Sequence, residues 1–316
     1  MDMSNAIQFK TLRGQLRRDE PMARHVSWRA GGPADRFYIP ADLDDLSAFL
    51  AQLPEGEPLL FVGLGSNLLV RDRGWRGTVI LTHGASRRPA MEDGMVYAEA
   101  GVASPKAARF AAQHHLEGAE FLAGIPGTIG GALAMNAGCF GGETWRYVAR
   151  VEVLRRDGTF ERRLPSEYII GYRSVRRADT GGREGIFTAA WLAFPPGDGR
   201  RARERINELL KRRIATQPLE MPNAGSVFRN PEADHAARLI ESCGLKGYAI
   251  GGARVSEKHA NFIVNPGGRA RAADIEALIA HVKQTVRAQT GIDLQPEVEI
   301  IGEPDAGLRG DEGVRA

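Results

Sequence analysis

Between Glu120 and Glu143 the chain runs for 22 residues without a formal charge, and seven of them are glycine. That is long enough to cross a bilayer, which takes about 20 predominantly apolar residues. Pro126 interrupts the run, Asn136 puts an amide in its second half, and the glycines would weaken a helix at nearly every turn. A membrane span is therefore set aside. Two readings remain: a turn-rich buried connection, or main chain laid directly against a large ligand. Only glycine lets backbone approach closely and take positive φ without steric cost. Composition does not choose between them.

The rest of the chain narrows the setting. With 316 residues, 43% apolar and 26% charged, it has the composition of a soluble protein of two or three domains. No charged-then-apolar leader opens it, so secretion is not expected. Cys139 and Cys243 are too few for a disulfide framework or a metal cluster, so we expect two reduced thiols, no metal and a cytoplasmic protein. The net charge of +3 comes from scattered basic residues. Arg200 to Arg205 and Lys211 to Arg213 interleave with Glu204 and Glu208, the pattern of a solvated helix face rather than of a nucleic-acid track. A small anionic ligand such as a nucleotide suits that balance equally well.

Periodicity predicts an α+β chain. A helix is expected over 42–53 with Asp42 as N-cap, then a strand, a glycine turn and a strand through "PLLFVG", "GLGSNLLVRDRGWRG" and "TVILTH". "MVYAEAG" reads as a strand and 104–115 as a helix capped by Ser104. Alternation on both sides of Asp157-Gly158 signals a hairpin. "FTAAWLAF" reads as a strand and "PPGDG" as a boundary. Helices follow near 201–213, 234–242 and 272–289, the last with Ile275, Leu278, Ile279, Val282 and Val286 on one stripe, and "EVEIIG" closes as a strand.

Single motifs carry little chemistry. Gly63, Gly65, Ser66 and Asn67 follow a strand and offer N–H groups to phosphate oxygens, but the dinucleotide fingerprint is incomplete. Beside the charge-poor stretch they gain meaning, because two such loops can clasp a long ligand, one at a pyrophosphate and one along a flat ring. Ser226 lies in no nucleophile elbow and no histidine stands at a telling position, so hydrolase chemistry is disfavoured. Arg173 in "GYRS" and Glu297 in "QPEVEI" read alone as surface charges, and His259 as a satisfied structural imidazole.

Taken in order, "RAGGPADRFYIP", "VGLGSNLLV", "GIPGTIGGALAMNAGCFGGE", "GYRS", "RRIATQPLEMPNAGSVFRNP", "LIESCGLKGYAIGGARVSEKHANFIVN" and "LQPEVEIIG" resemble the UDP-N-acetylenolpyruvoylglucosamine reductases, flavoenzymes of bacterial cell-wall precursor synthesis. The resemblance implies an α+β fold: a two-subdomain FAD-binding region of the vanillyl-alcohol-oxidase/para-cresol-methylhydroxylase type, then a smaller α+β substrate-binding domain. The implied divisions are 1–83 and 84–199 for FAD, 200–303 for substrate and a tail over 304–316. Non-covalent FAD is implied to lie between the first two subdomains. Gly63, Leu64, Gly65, Ser66 and Asn67 would meet its pyrophosphate, and Gly124, Ile125, Pro126, Gly127, Thr128, Gly130, Gly131, Asn136, Ala137 and Gly138 its isoalloxazine. The short path from Arg173 to Ser226 resembles the family variant that lacks an extra tyrosine loop.

By the same resemblance, NADPH reduces the flavin, and flavin N5 passes hydride to the terminal alkene carbon of UDP-N-acetylglucosamine enolpyruvate, giving UDP-N-acetylmuramate. Hydride addition next to a carboxylate produces a carbanion with two negative charges. Arg173 and a protonated Glu297 match the family positions that neutralise it, and Ser226 matches the proton donor. Tyr172, Gln217 and Asn230 match substrate contacts, Gln217 standing where the longer variant has a lysine. Arg271 stands where a small hydroxyl residue often caps the last helix. No membrane or nucleic-acid partner is expected, and a monomer is compatible with all of this. The rivals are an oxidase of the same flavoprotein superfamily, disfavoured because these three residues suit carbanion quenching, and a nucleotide-binding module without catalysis.

Overall fold

The computed structural model describes residues 12–84 and 88–304, so the expected tail over 304–316 lies outside the described residues apart from Pro304. The described residues fall into two compact units, one from 12–17, 37–64 and 78–215, the other from 18–36, 65–77 and 216–304.

In the first unit, α1 (Leu43–Leu50) begins as predicted, with the Asp42 carboxylate accepting the Asp45 N–H at 2.9 Å. The strands Leu59–Val62 and Trp75–Leu81 pair in parallel, Leu59 opposite Thr78 and Val62 opposite Leu81. They end a four-stranded sheet ordered Gln15–Pro21, Pro33–Ile39, Trp75–Leu81, Leu59–Val62. The simple strand, turn and strand read from sequence is thus corrected. Parallel neighbours cannot be joined by a tight turn, and residues 63–74 supply the crossover.

A five-stranded antiparallel sheet is ordered Phe160–Arg163, Val148–Leu154, Phe187–Leu192, Met95–Glu99, Ala90–Glu92. Phe187–Leu192 is buried along its whole length, which explains why it reads as a continuous apolar run. The Asp157-Gly158 hairpin forms as expected, Leu154 pairing with Phe160. Against the sheet lie α2 (Ser104–Gln113) and α3 (Ile129–Ala134), contributing Ala107, Ala111, Ile129 and Leu133 to one core. Ser104 is not the cap of α2. Ala103 occupies that position, while the Ser104 N–H bonds the Gly127 carbonyl at 2.9 Å and its hydroxyl is buried without a partner. The basic helix α4 (Gly199–Thr216) is longer than predicted and buries Ala202 and Ile206.

The second unit centres on α5 (Ala236–Ser242) and α6 (Ala272–Thr290), packed with the strands Ala249–Ile250, Ala253–Val255 and Ile263–Val264. All five predicted stripe residues of α6 are buried, with Trp28, Leu69 and Phe228 in the same core. Gly291 ends α6 at φ +75°. At its start Arg271 offers no hydroxyl, and Asp72 takes that part from elsewhere in the chain, accepting the N–H groups of Ala272 and Ala273 at 3.0 and 2.9 Å. Leu68–Val70 pairs in parallel with Glu299–Ile301.

Asp45 is a buried carboxylate of the first unit, at 2% exposure. It accepts the Tyr38 hydroxyl at 2.6 Å, the Ala41 N–H at 2.9 Å and the Arg13 N–H at 2.7 Å. Burial pushes its pKa up, but these donors outweigh burial and hold it below the ordinary 3.8. A folded pKa below the unfolded one means that the stabilisation is complete above the ordinary carboxylate range and is lost as pH falls through the depressed value. Asp45→Asn points an amide at one of these donors and is expected to cost about 2–3 kcal/mol at pH 7. Chemical denaturation of wild type and variant should show that difference shrinking below pH 4; a pH-independent difference would remove the charge from the explanation.

Candidate active site

The charge-poor stretch folds as a short 3-10 helix, Glu120–Gly124, then a loop, α3 and the hairpin of Gly138–Cys139 with Gly142–Glu143. Several of its glycines are required by the chain itself. A Cβ on Gly124 would fall 2.6 Å from Cys139 Sγ, and one on Gly130 2.8 Å from the Ala100 Cβ. On Gly63 it would fall 2.3 Å from Thr128 Oγ1, so the two glycine loops singled out from sequence are neighbours. The N–H groups of Ile129 and Gly130 are committed to the carbonyls of Val102 and Ala100, at 2.9 and 2.8 Å.

Gly131 differs from these glycines. It is exposed, and a Cβ there would find nothing nearer than Thr128 Oγ1 at 3.9 Å. With exposed Pro126 and Ala134 and half-buried Gly127 and Gly130, it forms a surface carrying almost no side chain, while Ile125, Thr128, Ala132 and Leu133 are buried beneath. Leu64, next to Gly63, is half-buried.

Asn136 and Ala137, predicted along a ring, are buried. Asn136 takes φ +45°, its Oδ1 accepts the Trp145 N–H at 3.1 Å, and its Nδ2 donates to Glu143 Oε2 and to the Gly171 carbonyl at 3.1 and 3.2 Å. It therefore ties the charge-poor stretch to the turn holding Tyr172 and Arg173. That turn joins Tyr168–Gly171 to Ser174–Arg177, with Gly171 opposite Ser174. Tyr172 is 53% exposed. Arg173 sits at φ +52°, donates from Nη2 to the Gly138 carbonyl at 3.0 Å and lies over the Tyr172 ring. A left-handed conformation costs a non-glycine residue about 1–2 kcal/mol, and such strain gathers at functional sites.

Burial pushes the Cys139 thiol up to about 11, against the opposing pull of Arg213 and Arg173, so it is no ready nucleophile. Arg213, read from sequence as part of a solvated helix face, is half-buried, and burial lowers its pKa. Helical periodicity alone could not reveal this.

In the second unit, Ser226 follows Gly225 at φ +76°, whose N–H bonds Asn223 Oδ1 at 2.9 Å. The next two residues are gripped by Asn261: its carbonyl accepts the Val227 N–H, and its side chain both accepts from and donates to the Phe228 backbone at 2.9 and 2.8 Å. On the other side the Glu297 N–H bonds the Val227 carbonyl at 2.8 Å. Ser226 and Glu297, both half-buried, are thus borne on adjoining backbone, while Arg173 belongs to the first unit. Asn261 was not foreseen, since an amide within "KHANF" carries no signal of its partners.

Other predicted contacts serve the chain's own structure. Gly65 takes φ +59°, and a Cβ there would fall 2.2 Å from the His25 carbonyl. Ser66 is half-buried, and the Asn67 side chain donates to the Glu297 carbonyl at 3.0 Å. Asn230 is exposed and caps α5 through the Ala236 N–H at 3.1 Å. Gln217 lies half-buried just past α4. His259 is not satisfied as expected: its Nδ1 is buried without a hydrogen bond, and burial lowers its pKa. Among the described residues, no group could hold a metal ion and no helix is long and apolar enough to cross a membrane.

Comparison with known proteins places this arrangement. A family model described as "UDP-N-acetylenolpyruvoylglucosamine reductase, C-terminal domain" matches residues 217–301, and one described as "FAD binding domain" matches 34–163. The UDP-N-acetylenolpyruvoylglucosamine reductase of Nitrosospira multiformis is 55% identical, over 96% of this chain and 94% of its own. That of Methylococcus capsulatus is 58% identical, over 93% and 95%. The crystal structure of the Thermus caldophilus reductase superposes with a TM-score of 0.75 at 32% identity, covering 92% of this chain and 99% of that one. With identity of this order along nearly its whole length, the chain belongs to the UDP-N-acetylenolpyruvoylglucosamine reductase family.

Proposed function

We propose that this chain is the FAD-dependent oxidoreductase that reduces UDP-N-acetylglucosamine enolpyruvate to UDP-N-acetylmuramate in bacterial peptidoglycan precursor synthesis, with NADPH as reductant. The observation that carries the reading is the 2.8 Å bond from the Glu297 N–H to the Val227 carbonyl, which joins the backbones bearing a hydroxyl and a carboxyl. Functionally we divide the chain at residues 83 and 199, into two stretches for the flavin and one for the substrate. A soluble nucleotide sugar as substrate fits action in the cytoplasm.

The residues present fit a flavin. Gly131 and Ala134, with Gly127, offer a face of bare main chain on which a flat ring can lie without meeting side chains. Exposed Pro126 belongs to the same stretch, and half-buried Leu64 and Ser66 flank Gly65 in the glycine turn. FAD, when bound, supplies the hydride.

The chain's own residues deal with the charge. When hydride joins the terminal alkene carbon, negative charge accumulates on the neighbouring carbon and its carboxylate. Arg173 and a protonated Glu297 stabilise that carboxylate as charge develops. The carbanion is basic enough to take a proton from an alcohol, so Ser226 donates it without a histidine, completing the new C–H bond. Rigid support for Ser226 comes from Asn261, which spares the serine any reorganisation at that moment.

Ser226→Ala should leave flavin reduction by NADPH near the wild-type rate while slowing reoxidation by the enolpyruvyl nucleotide about 10²–10⁴-fold. Stopped-flow absorbance separates the two half-reactions, and equal slowing of both would exclude the proton-donor role. Arg173→Gly relieves the positive φ, so it should melt within a few degrees of wild type yet lose about 10²–10³ in turnover; joint loss of stability and activity would make Arg173 a structural residue. The glycines should separate into two classes. Gly131→Leu is expected to keep the apoprotein at least as stable, since glycine costs a helix about 1 kcal/mol, but to retain little FAD by absorbance. Gly130→Ala, meeting Ala100, should lose stability first. Full flavin content in Gly131→Leu would contradict the ring face.

A further inference from the structure

Arg229 is a buried-side cation that the mechanism above does not use. It is half-buried, its Nε–H is buried without an acceptor, and among the described residues it has no carboxylate partner. A structural arginine of the same unit behaves differently: Arg71 meets Glu276 through Nε and Nη2, at 3.0 and 2.8 Å, and the Gly302 carbonyl through Nη1. Burying a guanidinium N–H without an acceptor costs free energy, which an anion arriving from outside would return.

The position of Arg229 says which anion. It ends the segment Val227–Arg229, gripped by Asn261 on one edge and by Glu297 and Gln295 on the other, with its own N–H bonded to the Gln295 carbonyl at 2.9 Å. Phe228 bridges Pro296 in antiparallel fashion, so the segment bearing Ser226 and Arg229 is hydrogen-bonded to the segment bearing Glu297. Val227 bends the backbone between Ser226 and Arg229, so the two side chains are not held to opposite faces as they would be three residues apart in a straight strand. In the reaction proposed above Arg173 answers the substrate's carboxylate, which leaves the diphosphate as the substrate anion without a cation.

We propose that Arg229 holds the diphosphate of the nucleotide sugar, fixing the substrate so that its alkene lies at Ser226; this rests on the functional reading above. The planar guanidinium fork matches two phosphate oxygens at once, and its orphan Nε–H is one of the donors such a pair uses. Arg229 is therefore a specificity residue for the diphosphate rather than a catalytic group.

Calorimetric titration of the FAD-loaded protein with UDP and with uridine tests this. Arg229→Gln should weaken UDP about 10- to 100-fold and leave uridine unchanged, with KM for the enolpyruvyl nucleotide rising far more than kcat falls. Wild-type affinity for UDP, or equal loss of UDP and uridine, would overturn the proposal. Should that variant fail to fold, ¹⁵N spectra of the wild-type protein serve: UDP, but not uridine, should shift the Nε–Hε resonance that disappears in Arg229→Lys, and an unmoved resonance is equally fatal. A wild-type protein that binds UDP through Arg229 but does not reduce the enolpyruvyl nucleotide would defeat the functional reading instead.

Discussion

Asn261 sets the geometry on which the candidate chemistry depends. One carbonyl and one side-chain amide satisfy three backbone groups of Val227 and Phe228, since an amide both donates and accepts in a fixed plane. The strand so fixed presents its other edge to the Glu297 N–H, and the Asn67 side chain secures the Glu297 carbonyl. A hydroxyl, a carboxyl and an unpaired guanidinium are thereby carried on or beside backbone tied by these bonds. Catalytic groups held this way need not be ordered anew by the substrate.

The same economy governs the charge-poor stretch. Its glycines fall into two classes that composition does not separate. Gly63, Gly124 and Gly130 are glycine because chain packs against chain, within 2.3–2.8 Å of where a Cβ would stand. Gly131 is glycine although the fold has room for more. Only the second class leaves room for a ligand, and in the proposed reading it supplies the ring face. Charge is absent from the whole stretch for a further reason: most of its side chains are buried under that face, where an unpaired ion would be costly.

Three asparagines that the resemblance assigns to ligands have structural partners of their own. Asn67, Asn136 and Asn230 stand at positions implied to meet cofactor or substrate. In the fold their side chains hold, respectively, the Glu297 carbonyl, the Gly171 carbonyl with the Trp145 N–H, and the first turn of α5. Each side chain is thus spent on the chain's own backbone. Residue identity was legible, but whether an amide faces a ligand or supports the loop facing it depends on where its partners come in space.

Read alone, the amino-acid order determined the amphipathic helices, the Asp157-Gly158 hairpin, the buried strand Phe187–Leu192 and, through seven ordered motifs, the family with its α+β, FAD-binding architecture. These are local periodicities and local turn chemistry, which neighbouring residues dictate. It did not determine the parallel pairing of Leu59–Val62 with Trp75–Leu81, the cap that Asp72 lends to α6, the burial of Arg213 or the unanswered Nε–H of Arg229. Each of those depends on groups tens to hundreds of residues apart along the chain, brought together only when the cores close and every buried donor must find its acceptor or wait for a ligand to provide one.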